Sequence, residues 1–263
     1  MVRRGRARGF FNRKGRSHPR VLAVVITVTL IWSSSLFAGE KLLIGVAANF
    51  ILPFEEIARV YGEKTTIRVE GTYTSSGNLY GQIIHGAPYD LFLSADEARP
   101  ELLFNKGVAE KPFTYARGKV VLWTSHREVC EARDWREALM MRKVKRVAIA
   151  NPETAPYGTA SAMALKRTGL WAAVEYKLVY AQTIAQAFQY AHTVAVDAGF
   201  CSLSSMFSEP AKEGCYLFVP EAPDVVQAAC LLKRTSYREG AEGFAAFLAS
   251  SEAKKIIRSY GYE

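Results

Sequence analysis

The sequence predicts an α/β fold in which mostly parallel sheets are covered by helices. Short apolar, strand-like runs alternate with stretches whose apolar residues recur at helical spacing, and this order repeats along the chain from Lys41 onward. Three loops that follow strands carry small or hydroxyl residues where a helix is about to begin, and no internal repeat, low-complexity tract or long linker interrupts the series. Such alternation argues for parallel sheets with helical cover, and in those folds ligands bind beyond the carboxyl ends of the strands.

The chain opens with eight basic residues in its first 20 (Arg3, Arg4, Arg6, Arg8, Arg13, Lys14, Arg16, Arg20), no acid, and then an apolar run from Val21 to Trp32. That order predicts a secretory signal. The run covers 12 residues before Ser33, Ser34 and Ser35, whereas a membrane-spanning helix wants roughly 20. Cleavage is expected after Ala38, so residues 1–38 form the signal peptide. An uncleaved N-terminal anchor over Val21 to Ala38 is the alternative; either way the remainder is delivered outside the cytoplasm, to the periplasm or its extracytoplasmic equivalent. Arg3-Arg4 lacks the hydrophobic residues that usually follow a twin-arginine signal, and no lipobox cysteine stands near the cleavage point.

Beyond the leader, strands are expected at Lys41 to Val46, Thr66 to Val69, Asp90 to Leu93, Lys119 to Trp123, Arg146 to Ala150, Ala198 to Ser202, Tyr216 to Val219 and Val226 to Leu232. Helical spacing marks Phe50, Phe54, Ile57, Ala58 and Tyr61, then Asn78 to Ile84, Pro100 to Asn105, Trp135 to Met141, Thr159 to Arg167 and Ile184 to Ala191. Two further helices close the chain at Tyr237 to Ser250 and Glu252 to Tyr260, with Gly261 as the stop.

Removing the leader's eight positive charges from the net +9 leaves +1 for residues 39–263, where 26 basic residues meet 25 acidic ones spread along the chain. A nucleic-acid partner would need a basic face on the folded domain, so no nucleic acid is expected. The 225 residues after the leader suffice for one large or two modest lobes without staples. Cys130, Cys201, Cys215 and Cys230 allow three pairings that sequence does not choose between. One candidate is Cys215 with Cys230, which flank a stretch holding Pro220 and Pro223 as hairpin partners would.

The three loops with small or hydroxyl residues are Ala47-Ala48-Asn49, Thr74-Ser75-Ser76-Gly77 and Thr154-Ala155-Pro156-Tyr157-Gly158-Thr159. The first turn of a helix has unpaired N–H donors and a partial positive charge, so each loop could hold an anion without an ionic partner. Asn49 and Ser76 are also good N-caps, and capping alone accounts for any one loop. Other chemistry is thin. His18, His85, His126 and His192 do not stand with Cys, Asp or Glu at metal-ligand spacing, and no direct cation ligand is expected. Ser75-Ser76 lacks the Gly-x-Ser-x-Gly elbow, and Asp96 suits a helix cap better than a general base, so no catalytic residue is assigned. The basic cluster Arg142, Lys143, Lys145 and Arg146 fits a solvated edge, or a surface that meets a partner.

Five segments, "GVAANF" at Gly45 to Phe50, "TSSGNLYGQIIHGAPYDLFLSAD" at Thr74 to Asp96, "NPETAPYGTASAMAL" at Asn151 to Leu165, "DAGFCSLS" at Asp197 to Ser204 and "FLASSEAKKIIRSYGY" at Phe247 to Tyr262, mark a resemblance that runs over nearly the whole mature chain. In them the chain resembles the periplasmic molybdate-binding proteins of ABC transporters. The second segment is the most specific. The resemblance implies a two-lobed type II periplasmic binding protein, each lobe a mixed, mostly parallel sheet flanked by helices, with the ligand cleft between. It implies capture of molybdate or tungstate and delivery to an ABC import permease, with no cofactor and as a monomer. Lobe one would comprise 39–118 and 226–263, lobe two 119–225, with Lys119 to Trp123 and Val226 to Leu232 as crossovers.

Carried over one position at a time, the resemblance implies that the oxyanion is held by the N–H of Ala48, by Asn49, by the hydroxyl and N–H of Ser76, by Tyr157, and by the backbone N–H of Ile184, with Ser75 as a further candidate. Where some members place a phenol donor this chain has Ser202, too short to replace it, and Tyr157 fits the members that carry a tyrosine in the third loop instead. Some six or seven donors at about 1.5 to 3 kcal/mol each could supply the roughly 12 kcal/mol of nanomolar binding after ordering costs. A donor-only lining also disfavours a protonated phosphate, whose O–H would find no acceptor. The rival expectations are a same-fold binder of sulfate, thiosulfate, a phosphonate or a small organic acid, and, from another class, an exported hydrolase.

Overall fold

The structure is a computed structural model that describes residues 41–263. The expected signal peptide, its cleavage after Ala38 and the anchor alternative lie outside the described residues. Among the described residues no helix is long and apolar enough to cross a membrane.

In chain order the elements begin β1 (Lys41–Ala47), α1 (Ile51–Thr65), β2 (Arg68–Thr74), α2 (Ser76–Ile84), β3 (Leu91–Leu93), α3 (Ala98–Asn105) and β4 (Phe113–Gly118). They continue β5 (Val120–Thr124), α4 (Arg127–Cys130), α5 (Trp135–Met140), β6 (Val147–Ala150), α6 (Pro156–Arg167), α7 (Trp171–Val174), β7 (Leu178–Ala181), α8 (Ile184–His192) and β8 (Ala198–Ser202). The chain ends β9 (Cys215–Phe218), β10 (Val225–Leu231), α9 (Arg238–Leu248) and α10 (Ser251–Ser259).

Among the described residues ten strands form two five-stranded sheets, ordered β2-β1-β3-β10-β4 and β7-β6-β8-β5-β9. In the first, β1 runs parallel to β2 and β3 while β10 opposes β3 and β4. In the second, β6 runs parallel to β7 and β8 while β5 opposes β8 and β9. Each sheet is thus mixed, because β10 and β5 each enter against the direction of their neighbours. The chain passes from the first sheet to the second at Lys119 and returns between Phe218 and Val225. The crossovers are therefore these short junctions; β5 lies wholly in the second sheet and β10 wholly in the first, contrary to the expectation that the strands themselves would cross.

Each sheet has its own core. Phe50, Phe54 and Ile57 at the start of the chain pack with Phe244, Leu248 and Ile257 from α9 and α10, which ties the C-terminal helices to the first sheet. Around the second sheet, Trp135 and Phe200 meet edge to face at 5.9 Å within a cluster that includes Leu139, Ile149 and Leu165. The strand expected from Thr66 begins two residues later, since Thr66 closes α1 in the left-handed conformation with φ 62°.

The cysteine candidate is corrected. Cys130 and Cys215 form a disulfide with Cα atoms 5.8 Å apart, while Cys201 and Cys230 are buried free thiols. Cys215 and Cys230 do not face each other across a hairpin because β9 and β10 belong to different sheets. Burial pushes the Cys230 thiol up to about 12, so it stays protonated and unreactive.

Candidate anion-binding site

The loops that the sequence singled out converge. Ala48, Asn49, Ser75 and Ser76 from the first-sheet side and Tyr157 and Ile184 from the second-sheet side line one small pocket, and none of the residues lining it is charged. Local chemistry sets the backbone of each contributor. Ala48 to Phe50 form a 3-10 turn directly after β1. Ser75 is the N-cap of α2, its Oγ accepting from the Asn78 N–H at 3.4 Å, which places Ser76 at the first helical position. Pro156 opens α6 and has no N–H, so the first donor of that helix is Tyr157. Thr183 caps α8 by accepting from the Gln186 N–H at 3.0 Å, leaving Ile184 at its first position. Helix starts thus point first-turn N–H groups, and the positive end of the helix dipole, into one uncharged pocket.

Side chains refine the assignment. Ser76 Oγ accepts from the Ala95 N–H at 2.9 Å, so its own proton is free to donate into the pocket. Asn49 is not a cap. Its amide Nδ2 donates to Gln227 Oε1 at 2.8 Å and to the Tyr262 hydroxyl at 3.0 Å, which occupies both of its side-chain protons. What Asn49 can offer an anion is therefore its backbone N–H. The Tyr157 phenol differs from expectation in the same way: it accepts from Gln227 Nε2 at 3.4 Å and is hydrogen-bonded to Tyr262. The hydroxyl is thus engaged in the buried network, while the backbone N–H of Tyr157 stands in the first turn of α6 beside the pocket. Ser202 lies outside the lining, with Oγ 3.0 Å from Ser204 Oγ and 2.8 Å from Ser205 Oγ in the turn after β8. Asp96 Oδ1 accepts from the Arg99 N–H at 2.9 Å, as expected of a cap.

Four residues to which the sequence reading gave no role complete the surroundings, two of them, Ser204 and Tyr262, at the ends of quoted segments. Gln227, Tyr115, Tyr262 and Ser204 are buried beside Asn49, and Ser204 Oγ and the Tyr262 hydroxyl both donate to the Asn49 carbonyl at 2.7 Å. Burial raises the phenols of Tyr115, Tyr157 and Tyr262 above their ordinary value, so all three are neutral donors and acceptors at any physiological pH. Gln227 had a signal: a lone amide in the otherwise apolar strand "VVQAACL" must find partners. The two sides also touch directly, the Gly77 N–H donating to the Thr154 carbonyl at 2.8 Å. Among the described residues no group of three or more His, Cys, Asp or Glu could hold a metal ion.

A two-sheet fold with an uncharged, donor-lined pocket between its halves is the architecture of a solute-binding protein, and sequence comparison agrees. The profile of the bacterial extracellular solute-binding protein family matches residues 42–263, and the chain belongs to that family. It is 38% identical over 230 residues to the molybdate-binding protein ModA of Rhodobacter capsulatus, covering 86% of this chain and 89% of that one. To ModA of Azotobacter vinelandii it is 35% identical over 233 residues, covering 85% and 90%. The solved periplasmic molybdate-binding protein of Azotobacter vinelandii superposes with a TM-score of 0.79 at 34% identity, covering 84% of this chain and 98% of that one.

Proposed function

We propose that this protein is an extracytoplasmic solute-binding protein that captures molybdate or tungstate and delivers it to an ABC import permease, acting as a monomer and without a catalytic step. The observation that carries the reading is the pocket itself, where helix starts from both sheets meet and no charged residue lines the space. The anion is held by the backbone N–H groups of Ala48, Asn49, Ser76, Tyr157 and Ile184 and by the Ser76 hydroxyl, with the Ser75 side chain serving as cap and Ser202 outside the site. The similarity to proteins named for molybdate binding supports the choice of ligand.

Lobe one comprises 39–118 with 226–263, and lobe two comprises 119–225. A ligand that touches both lobes stabilises only the closed arrangement, and the permease recognises that form. Neutral donors suit a dianion that has to be released again, since hydrogen bonds to a charged group contribute about 1.5 to 3 kcal/mol each without an ion pair to break.

Thermal unfolding with molybdate, tungstate and sulfate tests the assignment. At 100 times its dissociation constant a true ligand adds about 2.7 kcal/mol, expected as roughly 5 to 10 °C in melting temperature. A shift with sulfate and none with molybdate or tungstate would overturn the choice of anion.

A further inference from the structure

We infer that Gln227 is a positioning residue that couples the first anion-binding loop, through Asn49, to the third, through Tyr157, and so holds the two halves of the site in register. This rests on the oxyanion-binding reading above. Gln227 is fully buried on β10, at the point where the pairing of β10 with β4 shifts register between Gln227 and Ala228. The residue left without a partner there is Tyr115 of β4, and its hydroxyl lies 3.0 Å from Gln227 Oε1.

The hydrogen bonds close into a ring. Gln227 Oε1 accepts from Asn49 Nδ2 at 2.8 Å, and Gln227 Nε2 donates to the Tyr157 hydroxyl at 3.4 Å. The Tyr157 hydroxyl bonds to that of Tyr262, which accepts from Asn49 Nδ2 at 3.0 Å and donates to the Asn49 carbonyl at 2.7 Å. Five protons run around this ring: two from the Asn49 amide, one each from Tyr157 and Tyr262, and one of the two on Gln227 Nε2. The Tyr115 hydroxyl, 3.0 Å from Gln227 Oε1 and 3.1 Å from the Ser94 carbonyl, can serve either with its single proton. Asn49, Tyr262 and Gln227 pack with the first sheet, whereas Tyr157 belongs to the helix that follows a second-sheet strand. Gln227 therefore joins the two loops whose backbone N–H groups face the anion, without touching the pocket itself.

A buried network of this kind is cooperative, and its couplings are measured by double-mutant cycles. The experiment uses the mature chain with molybdate as probe, following dissociation by stopped flow and affinity by calorimetry in wild type, Gln227→Met, Tyr157→Phe and the double variant. Gln227→Met is expected to release molybdate at least about tenfold faster, one such bond being worth about 1.4 kcal/mol or more in a closed site. The double variant should release it little faster than the worse single one. Tyr157→Phe keeps the ring and the backbone N–H and removes the same bond from the other end, so the coupling stays testable even where Gln227→Met fails to fold. Unliganded Tyr157→Phe should also show a larger radius of gyration in solution scattering than unliganded wild type.

A merely structural Gln227 would lower the melting temperature and leave release unchanged, or give additive effects; either result overturns the coupling. If the wild-type chain bound neither molybdate nor tungstate, the binding reading would fall, while the scattering difference would still decide the coupling on its own.

Discussion

Two sets of contacts join the sheets across the cleft, and they are built differently. Beside the junctions at Lys119 and Val225 the contact is made of side chains, with Asn49, Gln227, Tyr157 and Tyr262 at most 5% exposed and bonded to one another. At Gly77 it is made of main chain: the Gly77 N–H meets the Thr154 carbonyl at 2.8 Å, and Arg99 reaches the neighbouring Glu153 carbonyl at 3.1 Å from a partly exposed position. Parting the first set strands buried polar groups, at about 1 to 3 kcal/mol for each. Parting the second exchanges half-buried main-chain bonds for water. The lobes are thus expected to part at Gly77 first and to pivot on the buried network.

The largest test of that asymmetry is alkaline. The phenols of Tyr115, Tyr157 and Tyr262 are raised by burial, while in the unfolded chain they ionise near 10. Their contribution is therefore complete below about pH 10 and is lost as the pH climbs above it, by about 1.4 kcal/mol per pH unit for each phenol. Melting temperature followed from about pH 9 to about pH 11 should fall steeply in wild type and less steeply in Tyr262→Phe. Identical slopes would mean that these phenols are not sealed from water.

Next in size is Gly118→Ala. A methyl there would stand 1.9 Å from the Tyr157 hydroxyl oxygen and 3.0 Å from both Gln227 Nε2 and Tyr262, so the network has to spread. The expected loss is about 1 to 3 kcal/mol of stability, the usual cost of overpacking, together with weaker molybdate binding. Chemical denaturation and calorimetry on one preparation measure both, and wild-type values for either would place slack in the network.

The smallest effect, and the most selective, is expected of Gly77→Ala. Its methyl would meet Thr154 Cα at 2.9 Å and Thr154 O at 3.0 Å, backbone atoms that cannot swing aside. With the lobes apart nothing is crowded, and alanine suits the first turn of α2 better than glycine does. Molybdate affinity should fall about tenfold, roughly 1.4 kcal/mol, while the unliganded melting temperature holds or rises slightly. A lower unliganded melting temperature would show that the contact persists without ligand.

The same division runs through what the sequence revealed. The loops proposed to bind by backbone were legible, because small and hydroxyl residues before a helix announce free N–H groups, and Ala48, Ser76, Tyr157 and Ile184 do line one pocket. Apolar strands were legible too. β4, with the mixed sequence "FTYARG", and the edge strand β7, "LVYA", were missed because partial exposure blurs their alternation. The buried network was not legible, since a side chain such as the Tyr157 phenol takes its role from partners 70 and 105 positions away, Gln227 and Tyr262. Cysteine pairing failed for a related reason. Nearness in sequence placed Cys215 with Cys230, while the sheet order places Cys215 beside α4.

That disulfide has a bearing beyond its own strand. β9 is the outer strand of the second sheet, paired with β5 on one side, and it turns Tyr216 and Phe218 outward at 43% and 56% exposure. An edge strand with outward aromatics is a template for the strand of another molecule. The bridge from Cys130 fastens the first residue of β9 to the body of the lobe, and it forms where thiols are oxidised. With those thiols reduced, the rim is held to the lobe by its pairing with β5 and its packing alone. One covalent bond thus anchors the end of an exposed rim that strand pairing secures on a single side.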